Sequence, residues 1–305
     1  MLTLEQKPQN NVYIEGILSE VSLDMRDNFK NKLTGGTQRG ITGEVRIRVP
    51  QKLNEDAEEV ICEIPVNCFA LEFKRNGEKN PGFESLEKVM SEYKSIAAVG
   101  EEHADKVRVS GANISVDRYM GRDGMEHKRA KVRGSFFYKA EGRPYSPRAE
   151  FTIVTVIGGK RYEVNADGEE TGKYIVNGAI INWNGTVDST EFVTSNENAI
   201  DYIESEYETG VTVKLEGKLM FTSKEIVTTA ESTGFGEPIK RTRTQFAEDF
   251  VITSGSAPFD EEFSYDRAEI SKGVALGNEK FKEREAEKQT KKPTAPAQTA
   301  QDLGF

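Results

Sequence analysis

The stretch NVYIEGIL, at residues 11–18, alternates apolar and polar side chains. A period of two indicates a β-strand with one buried face. Gly16 falls within the apolar phase, and a glycine in mid-strand predicts a sharp bend or coil of the kind that a small barrel needs. Residues 43–49 and 59–64 alternate in the same way and predict a second and a third strand. The chain is therefore expected to open with three strands.

A helical period follows, and strands then return. Apolar residues over 83–97 recur on one stripe, which predicts a short helix. Alternation resumes over 106–119, turns at residues 121–124 and returns through 128–133. Three strands, a helix and two strands are the element order of an OB-fold barrel. The sequence therefore predicts a first OB-like domain over residues 1–145.

An internal repeat predicts a second domain of the same kind. The stretch VRVSG at residues 107–111 recurs as VKLEG at residues 213–217, and a helical pattern precedes each copy. A basic strand over 240–243 follows the second copy. The other strands of the second domain are predicted at residues 151–157, 174–182 and 187–193, with a turn at Asn184 and Gly185. We expect a mainly β chain of two tandem five-stranded barrels, the second over residues 146–255.

The C-terminal part has a different composition. A charged run at residues 279–285 gives way to a Pro/Ala/Gln-rich run at 292–298. Such segments contain too few apolar side chains to build a core of their own. Residues 256–305 are therefore predicted to form a flexible tail that ends in Phe305.

Composition and charge limit the possible functions. The chain has 305 residues and a net charge of -10, but residues 104–148 hold 11 basic and 5 acidic side chains. A local basic excess in an acidic protein favours an anionic partner. No window approaches the roughly 18 apolar residues of a membrane helix, and the first residues have no signal-peptide core. A cytoplasmic protein is expected, with no membrane partner.

The residues offer little for catalysis or metal binding. His103 and His127 have no partner at the spacing of a metal site, and the glycine-rich run at 35–40 lacks the ending of a phosphate-binding P-loop. Acidic clusters at 55–59 and 260–262 are typical of solvated turns and linkers. We expect Cys62 and Cys68 to be small buried residues on one strand face. The sequence therefore predicts neither an enzyme, nor a cofactor, nor a metal site.

Several motifs resemble those of bacterial and phage single-stranded DNA-binding proteins. Residues 12–18 look like that family's first strand, and residues 107–111 with Tyr119 and the following Asp123-Gly124 look like its fourth strand and turn. The resemblance implies coating of single-stranded DNA in replication, recombination or repair. The family also ends in a partner-binding tip, which here implies docking of replication or recombination proteins through Asp302, Leu303 and Phe305. Two barrels in one chain suit a phage protein, which would act in the host cytoplasm.

A binding face can be assembled from basic and aromatic residues, since single strands are held by cations along the backbone and by rings under the bases. A flexible loop is predicted over residues 26–40, and Arg46 and Arg48 are predicted to share one strand face. Tyr119 is the ring chosen to stack on a base, whereas Trp183 is expected in a core. The candidate nucleic-acid-binding residues are Arg26, Phe29, Lys30, Lys32, Arg39, Arg46, Arg48, Arg118, Tyr119, Arg122, Lys128, Arg129, Lys131 and Arg133.

Other interpretations of the residues and of the function stay open. The basic residues also suit a solvated outer face, and each ring also suits a barrel core. A phage structural or tail protein could use OB-like domains for protein contacts, and an accessory subunit of a nuclease is a third function. The sequence does not decide between DNA and RNA or give an oligomeric state.

Overall fold

The chain folds into eleven strands and four helices within residues 8–165, 167–230 and 239–291, which are the part that the computed structural model describes. The predicted mainly β class is confirmed. The strands are β1 (Asn10–Lys30), β2 (Thr37–Gln51), β3 (Val60–Leu71), β4 (Lys106–Met120), β5 (Glu126–Arg133), β6 (Phe136–Lys139), β7 (Arg148–Val164), β8 (Glu170–Ile181), β9 (Val187–Thr194), β10 (Thr212–Ala230) and β11 (Ile239–Gly255). The helices are α1 (Pro81–Glu92), α2 (Ile96–Val99), α3 (Glu197–Glu206) and α4 (Arg267–Lys291).

The same pairing scheme occurs twice in the sheet. In the first half, β1 pairs with β2, β2 with β3, β3 in parallel with β5, β5 with β4, and β4 returns to β1. In the second half, β7, β8, β9, β11 and β10 repeat these pairings in the same order, again with one parallel pair and a return to β7. The first half has α1 between its third and fourth strands, and the second half has α3 there. The internal repeat in the sequence thus corresponds to a repeat in topology.

Strand pairing also joins the two halves. Residues Asn10 to Glu15 of β1 pair antiparallel with Ile153 to Arg148 of β7, so all eleven strands belong to one hydrogen-bonded sheet. The largest hydrophobic cluster includes buried side chains of both halves, among them Ile14 and Phe151. The two halves are therefore joined by backbone hydrogen bonds between β1 and β7 and by a common hydrophobic core.

The predicted loop over residues 26–40 is wrong over most of its length. Strand β1 continues to Lys30 and β2 begins at Thr37, with the two strands paired up to Lys30 and Thr37. Only residues 31–36 form the turn, where Asn31 and Gly36 hydrogen-bond through their backbones. The end of β1 and the start of β2 thus form a projecting hairpin, the β1–β2 arm, in which the two strands pair chiefly with each other. Because neither face of the arm is buried, its sequence does not alternate between apolar and polar residues.

The tail prediction differs from the structure over α4. This helix packs against β9, and Phe281 is buried. Ile270 packs against a buried cluster that includes Val156 and Val187, and Gly277 and Phe281 lie beside Arg118, so a few residues at helical spacing hold the helix. Residues 256–266 of the predicted tail are described as well, and Tyr265 among them is buried. The last residues of the predicted tail, 292–305, with the proposed tip residues Asp302, Leu303 and Phe305, lie outside the described part of the chain.

Trp183 is not a core residue. Its side chain is 70% exposed in the turn between β8 and β9, where the Gly185 N–H donates to the Asn182 carbonyl. The predicted turn at Asn184 and Gly185 is confirmed. In the described part of the chain, no helix has the length and apolar content needed to cross a membrane.

Both cysteines are free and buried on the inward face of β3, as predicted. Burial raises the pKa of the Cys62 thiol, and it raises that of Cys68 to about 12. Because the thiolate is the reactive form, neither thiol should react with a disulfide reagent near pH 8 while the chain is folded. Ellman's reagent should therefore detect both thiols only after denaturant unfolds the chain; rapid labelling of the native protein would contradict this burial.

Candidate nucleic-acid interface

The outer surface of the first half carries three concavities that share lining residues. The largest, of about 670 Å³, lies over β1, β2 and β3 and includes Arg46, Phe69 and Arg133. A second, of about 360 Å³, shares Arg46 and continues past Arg129 to the second half. A third, of about 290 Å³, shares Phe69 and extends to the tip of the β1–β2 hairpin. We call these three concavities together the outer groove.

Strand alternation explains why these side chains face outward. On β2, Val45 and Ile47 are buried, whereas Arg46 and Arg48 lie on the other face, as the sequence predicted. On β3 the even-numbered residues from Cys62 to Ala70 are buried. Phe69 therefore points to the opposite, outer face of the sheet. The core pattern therefore fixes the lining of the groove.

The arginines of β2 are ion-paired. Arg46 Nε donates to Glu44 Oε1 at 2.8 Å. Arg48 Nε donates to Glu63 Oε1 at 2.7 Å, and its Nη1 donates to Glu101 Oε2 at 2.9 Å. The hydrogen bond to Glu63 is the main cause that raises the pKa of Arg48. A phosphate on this part of the groove would have to compete with carboxylates.

Three basic residues of β5, namely Arg129, Lys131 and Arg133, are also ion-paired. Lys131 Nζ lies 2.8 Å from Asp117 Oδ2, and Arg133 contacts the other oxygen of that carboxylate. Partial burial opposes ionisation of Asp117, but the two cations outweigh it and hold the pKa of the carboxyl below its usual range. Arg129 pairs across the halves with Glu248 of β11, its Nε donating to Oε2 at 3.2 Å.

The hairpin end of the groove has a different charge balance. Lys30 and Lys32 are exposed and, among the described residues, form no ion pair. Phe29 packs edge-on against Phe69, with ring centroids 5.6 Å apart. This end therefore combines unpaired cations with a ring held in place by another ring.

Two other candidates near the hairpin already have partners. Arg26 Nε donates to Asp24 Oδ2 at 2.6 Å. Arg39 donates twice to Glu72, at 3.0 and 2.7 Å, and these contacts raise its pKa. Both guanidinium groups are therefore already neutralised by nearby carboxylates.

Arg118 is held inside the protein. Its side chain is 9% exposed, Nε donates to Glu126 at 2.7 Å and Nη2 donates to Asn278 at 2.8 Å. The guanidinium lies over the Phe281 ring at 4.8 Å and 3.7 Å from Asp188. The structure thus places this candidate between the halves and α4, away from solvent.

The rest of the β4–β5 hairpin is exposed. Tyr119 stacks on His127 with ring centroids 5.4 Å apart. Arg122 and Lys128 are exposed and form no ion pair within the described ranges. Lys128 lines a cleft to the second half and none of the three concavities of the outer groove.

Sequence reasoning missed three residues that line the hairpin end of the groove, namely Phe69, Phe73 and Arg75. The sequence does indicate Phe69, because it is a large apolar residue at an outward-facing position of an alternating strand. The other two lie in the segment between β3 and α1, where no period exists. The Phe73 N–H donates to Gln38 Oε1 at 3.1 Å, which fixes this segment to β2.

The groove can hold an extended anionic chain with unstacked rings, because it offers cations, aromatic faces and an open path. Within the described residues, no group of three or more His, Cys, Asp or Glu side chains has an arrangement that could hold a metal ion.

Comparison with known proteins places the fold. The chain is similar to the crystal structure of the wild-type single-stranded DNA binding protein from Thermus aquaticus, with a TM-score of 0.50, 14% identity and coverage of 84% of this chain and 95% of that one. A deletion mutant of the same Thermus aquaticus protein gives a TM-score of 0.49 at 14% identity, covering 83% and 96%. No curated protein matched. The YorF family matches residues 9–291, and the chain therefore belongs to the YorF family.

Proposed function

We propose that this protein binds single-stranded DNA along the outer groove, without turnover. In this proposal each half is an OB-like barrel, the first over residues 1–145 and the second over 146–255. The first barrel supplies the main binding surface, since the outer groove lies on it.

The observation that carries the proposal is the hairpin end of the groove. Phe69 is 55% exposed on a strand whose neighbouring positions are buried, next to Lys30, Lys32 and Arg75. An exposed ring that is held in place by Phe29 beside unpaired cations suits a stacked base and its phosphates. The fold shared with the Thermus aquaticus protein supports the same function, because that protein is described as binding single-stranded DNA.

The biological setting follows the resemblance found in the sequence. We infer a role in coating DNA during replication, recombination or repair, in the host cytoplasm if a phage encodes the protein. Docking of a partner by Asp302, Leu303 and Phe305 stays a prediction. The alternative is a phage structural protein that uses the same domains for protein contacts.

The proposal is tested by titrating a fluorescein-labelled oligothymidylate of about 30 nucleotides, since one OB fold covers about 4 to 16. Binding should weaken as salt rises, because each phosphate contact contributes about 0.7 to the slope of log affinity against log salt. A duplex of equal length serves as the competitor. Absence of binding, or equal binding of the duplex, would favour the structural alternative.

Replacing Phe69 by alanine should weaken binding of the oligothymidylate by about 1 to 3 kcal/mol, the usual contribution of one stacked base. The salt slope should stay nearly unchanged, because a ring releases no counterions. Tyr138→Ala is the matched control, since Tyr138 is 54% exposed but lies on β6, outside the groove. Equal losses in the two variants, measured by fluorescence anisotropy, would remove Phe69 from the interface.

A further inference from the structure

The β4–β5 hairpin lies across a cleft from the second half. Lys128, Arg129 and Ala130 line one side of this cleft, and Ser189, Glu191, Glu248 and Phe250 are among the residues that line the other. The space between them is about 460 Å³. A basic hairpin therefore faces the carboxylates of β9 and β11 over an open gap.

Side chains alone make this contact. In the strand pairings, β4 and β5 bond to β1, β3, β6 and each other, and to no strand of the second half. Among the described residues the hairpin is therefore fixed to the second half by side chains, at one place by Arg118 beside Asp188 of β9. An ion pair between Arg129 and Glu248 joins the two sides of the cleft. In this pair Nε and Nη2 of the guanidinium each donate to one oxygen of the carboxylate.

The strength of this pair decides whether a ligand can replace it. The Arg129 side chain is 54% exposed and that of Glu248 is 28% exposed. Because water reaches both side chains, solvent screens the pair and makes it weaker than a fully enclosed one. A phosphodiester offers the same guanidinium two oxygens in a similar fork, so exchange of one anion for the other costs little.

We propose that the cleft is a second segment of the DNA-binding site, in which Glu248 occupies the phosphate position on Arg129 until DNA binds. The inference rests on the proposed function and extends the strand's path from the outer groove, which also includes Arg129, into the cleft beside Lys128. Bound DNA displaces Glu248, and the carboxylate then turns to solvent. In the absence of DNA, the second half masks part of the basic surface.

The test compares Glu248→Gln with Glu191→Gln in the full-length protein. Both changes remove one negative charge from the lining of the cleft, but Glu191 pairs with Arg161 of its own half, at 2.6 Å. We expect Glu248→Gln to bind the labelled oligothymidylate several-fold more tightly than Glu191→Gln does. Its salt slope should be steeper by about 0.7, the value of one added phosphate contact.

Arg129→Ala, made alone and together with Glu248→Gln, completes a double-mutant cycle. It should weaken binding in both backgrounds, by less in the wild type, where displacement of Glu248 offsets part of the phosphate contact, and it should cancel the gain from Glu248→Gln. Equal gains in the two Gln variants, or a gain that survives Arg129→Ala, would overturn the inference while leaving salt-sensitive binding by the wild type intact. Failure of wild type and variants alike to bind would instead reject the proposed function. Circular dichroism of each variant confirms folding.

Discussion

Replacing Glu15 by alanine is expected to lower the free energy of unfolding by about 3 to 5 kcal/mol, the usual cost of removing one partner of a buried ion pair. Glu15 is 2% exposed and joins three segments. Its carboxylate accepts from Arg108 Nη2 at 3.0 Å, from the Ser146 N–H at 3.1 Å and from the Tyr13 hydroxyl at 3.0 Å. Without it, Arg108 is left mostly enclosed with no carboxylate.

The effect should depend on pH in a defined direction. Burial opposes ionisation of Glu15, but the hydrogen bonds from Arg108, Ser146 and Tyr13 outweigh it and hold the pKa below the usual range. A carboxyl with a depressed folded-state pKa stabilises the fold above its unfolded-state pKa of about 4.3, and this contribution is lost as pH falls through the folded value. The difference between wild type and variant should therefore narrow below about pH 4.

Urea unfolding of both proteins between neutral and acidic pH measures this difference. Glu20→Ala is the control, because Glu20 lies on the same strand with an exposed side chain, and it should change stability by no more than about 0.5 kcal/mol. A Glu15→Ala variant as stable as the control would show that the pair is not a structural anchor.

Replacing Arg118 by alanine should release α4 and lower the free energy of unfolding by about 2 to 4 kcal/mol. The change removes the hydrogen bonds to Glu126 and Asn278 and the cation–π contact with Phe281, and it leaves Asp188 without its cation. Exchange of the backbone amide hydrogens of α4 should accelerate, because the helix loses its contacts with Arg118.

The matched control is Arg122→Ala, which removes the same charge from the turn of the same hairpin, where the side chain is exposed. It should leave both the exchange of α4 and the unfolding midpoint unchanged. If Arg118→Ala leaves the exchange of α4 as slow as in the wild type, then contacts elsewhere, such as those of Ile270, hold the helix.

The strands with a buried face could be predicted from the sequence, because their alternation reports that face directly. The β1–β2 arm could not. Beyond Met25 its two strands have solvent on both sides, so no side chain has to be apolar and the residues look like a loop. Helix α4 was missed for a related reason, since a few contact residues such as Phe281 are spread over 25 residues of mostly polar sequence.

The candidate site divides in the same manner. Alternation placed Arg46 and Arg48 on an outward face, but it could not indicate that Glu63 and Glu101 would meet Arg48, because those carboxylates arrive from other elements. Nor could it indicate that α4 would enclose Arg118. Charge counts along a sequence show how many cations a segment has, and only the folded chain shows which of them are already neutralised.

The docking of α4 has a consequence for the order of events during synthesis. The ribosome makes Arg118 about 150 residues before it completes the start of α4, a delay of roughly 7 to 30 s at about 5 to 20 residues per second. Throughout that interval the guanidinium has no Asn278 or Phe281 to contact. The Arg118 side chain of the nascent β4–β5 hairpin therefore stays without the cover of α4, and it becomes enclosed only after α4 has left the ribosome.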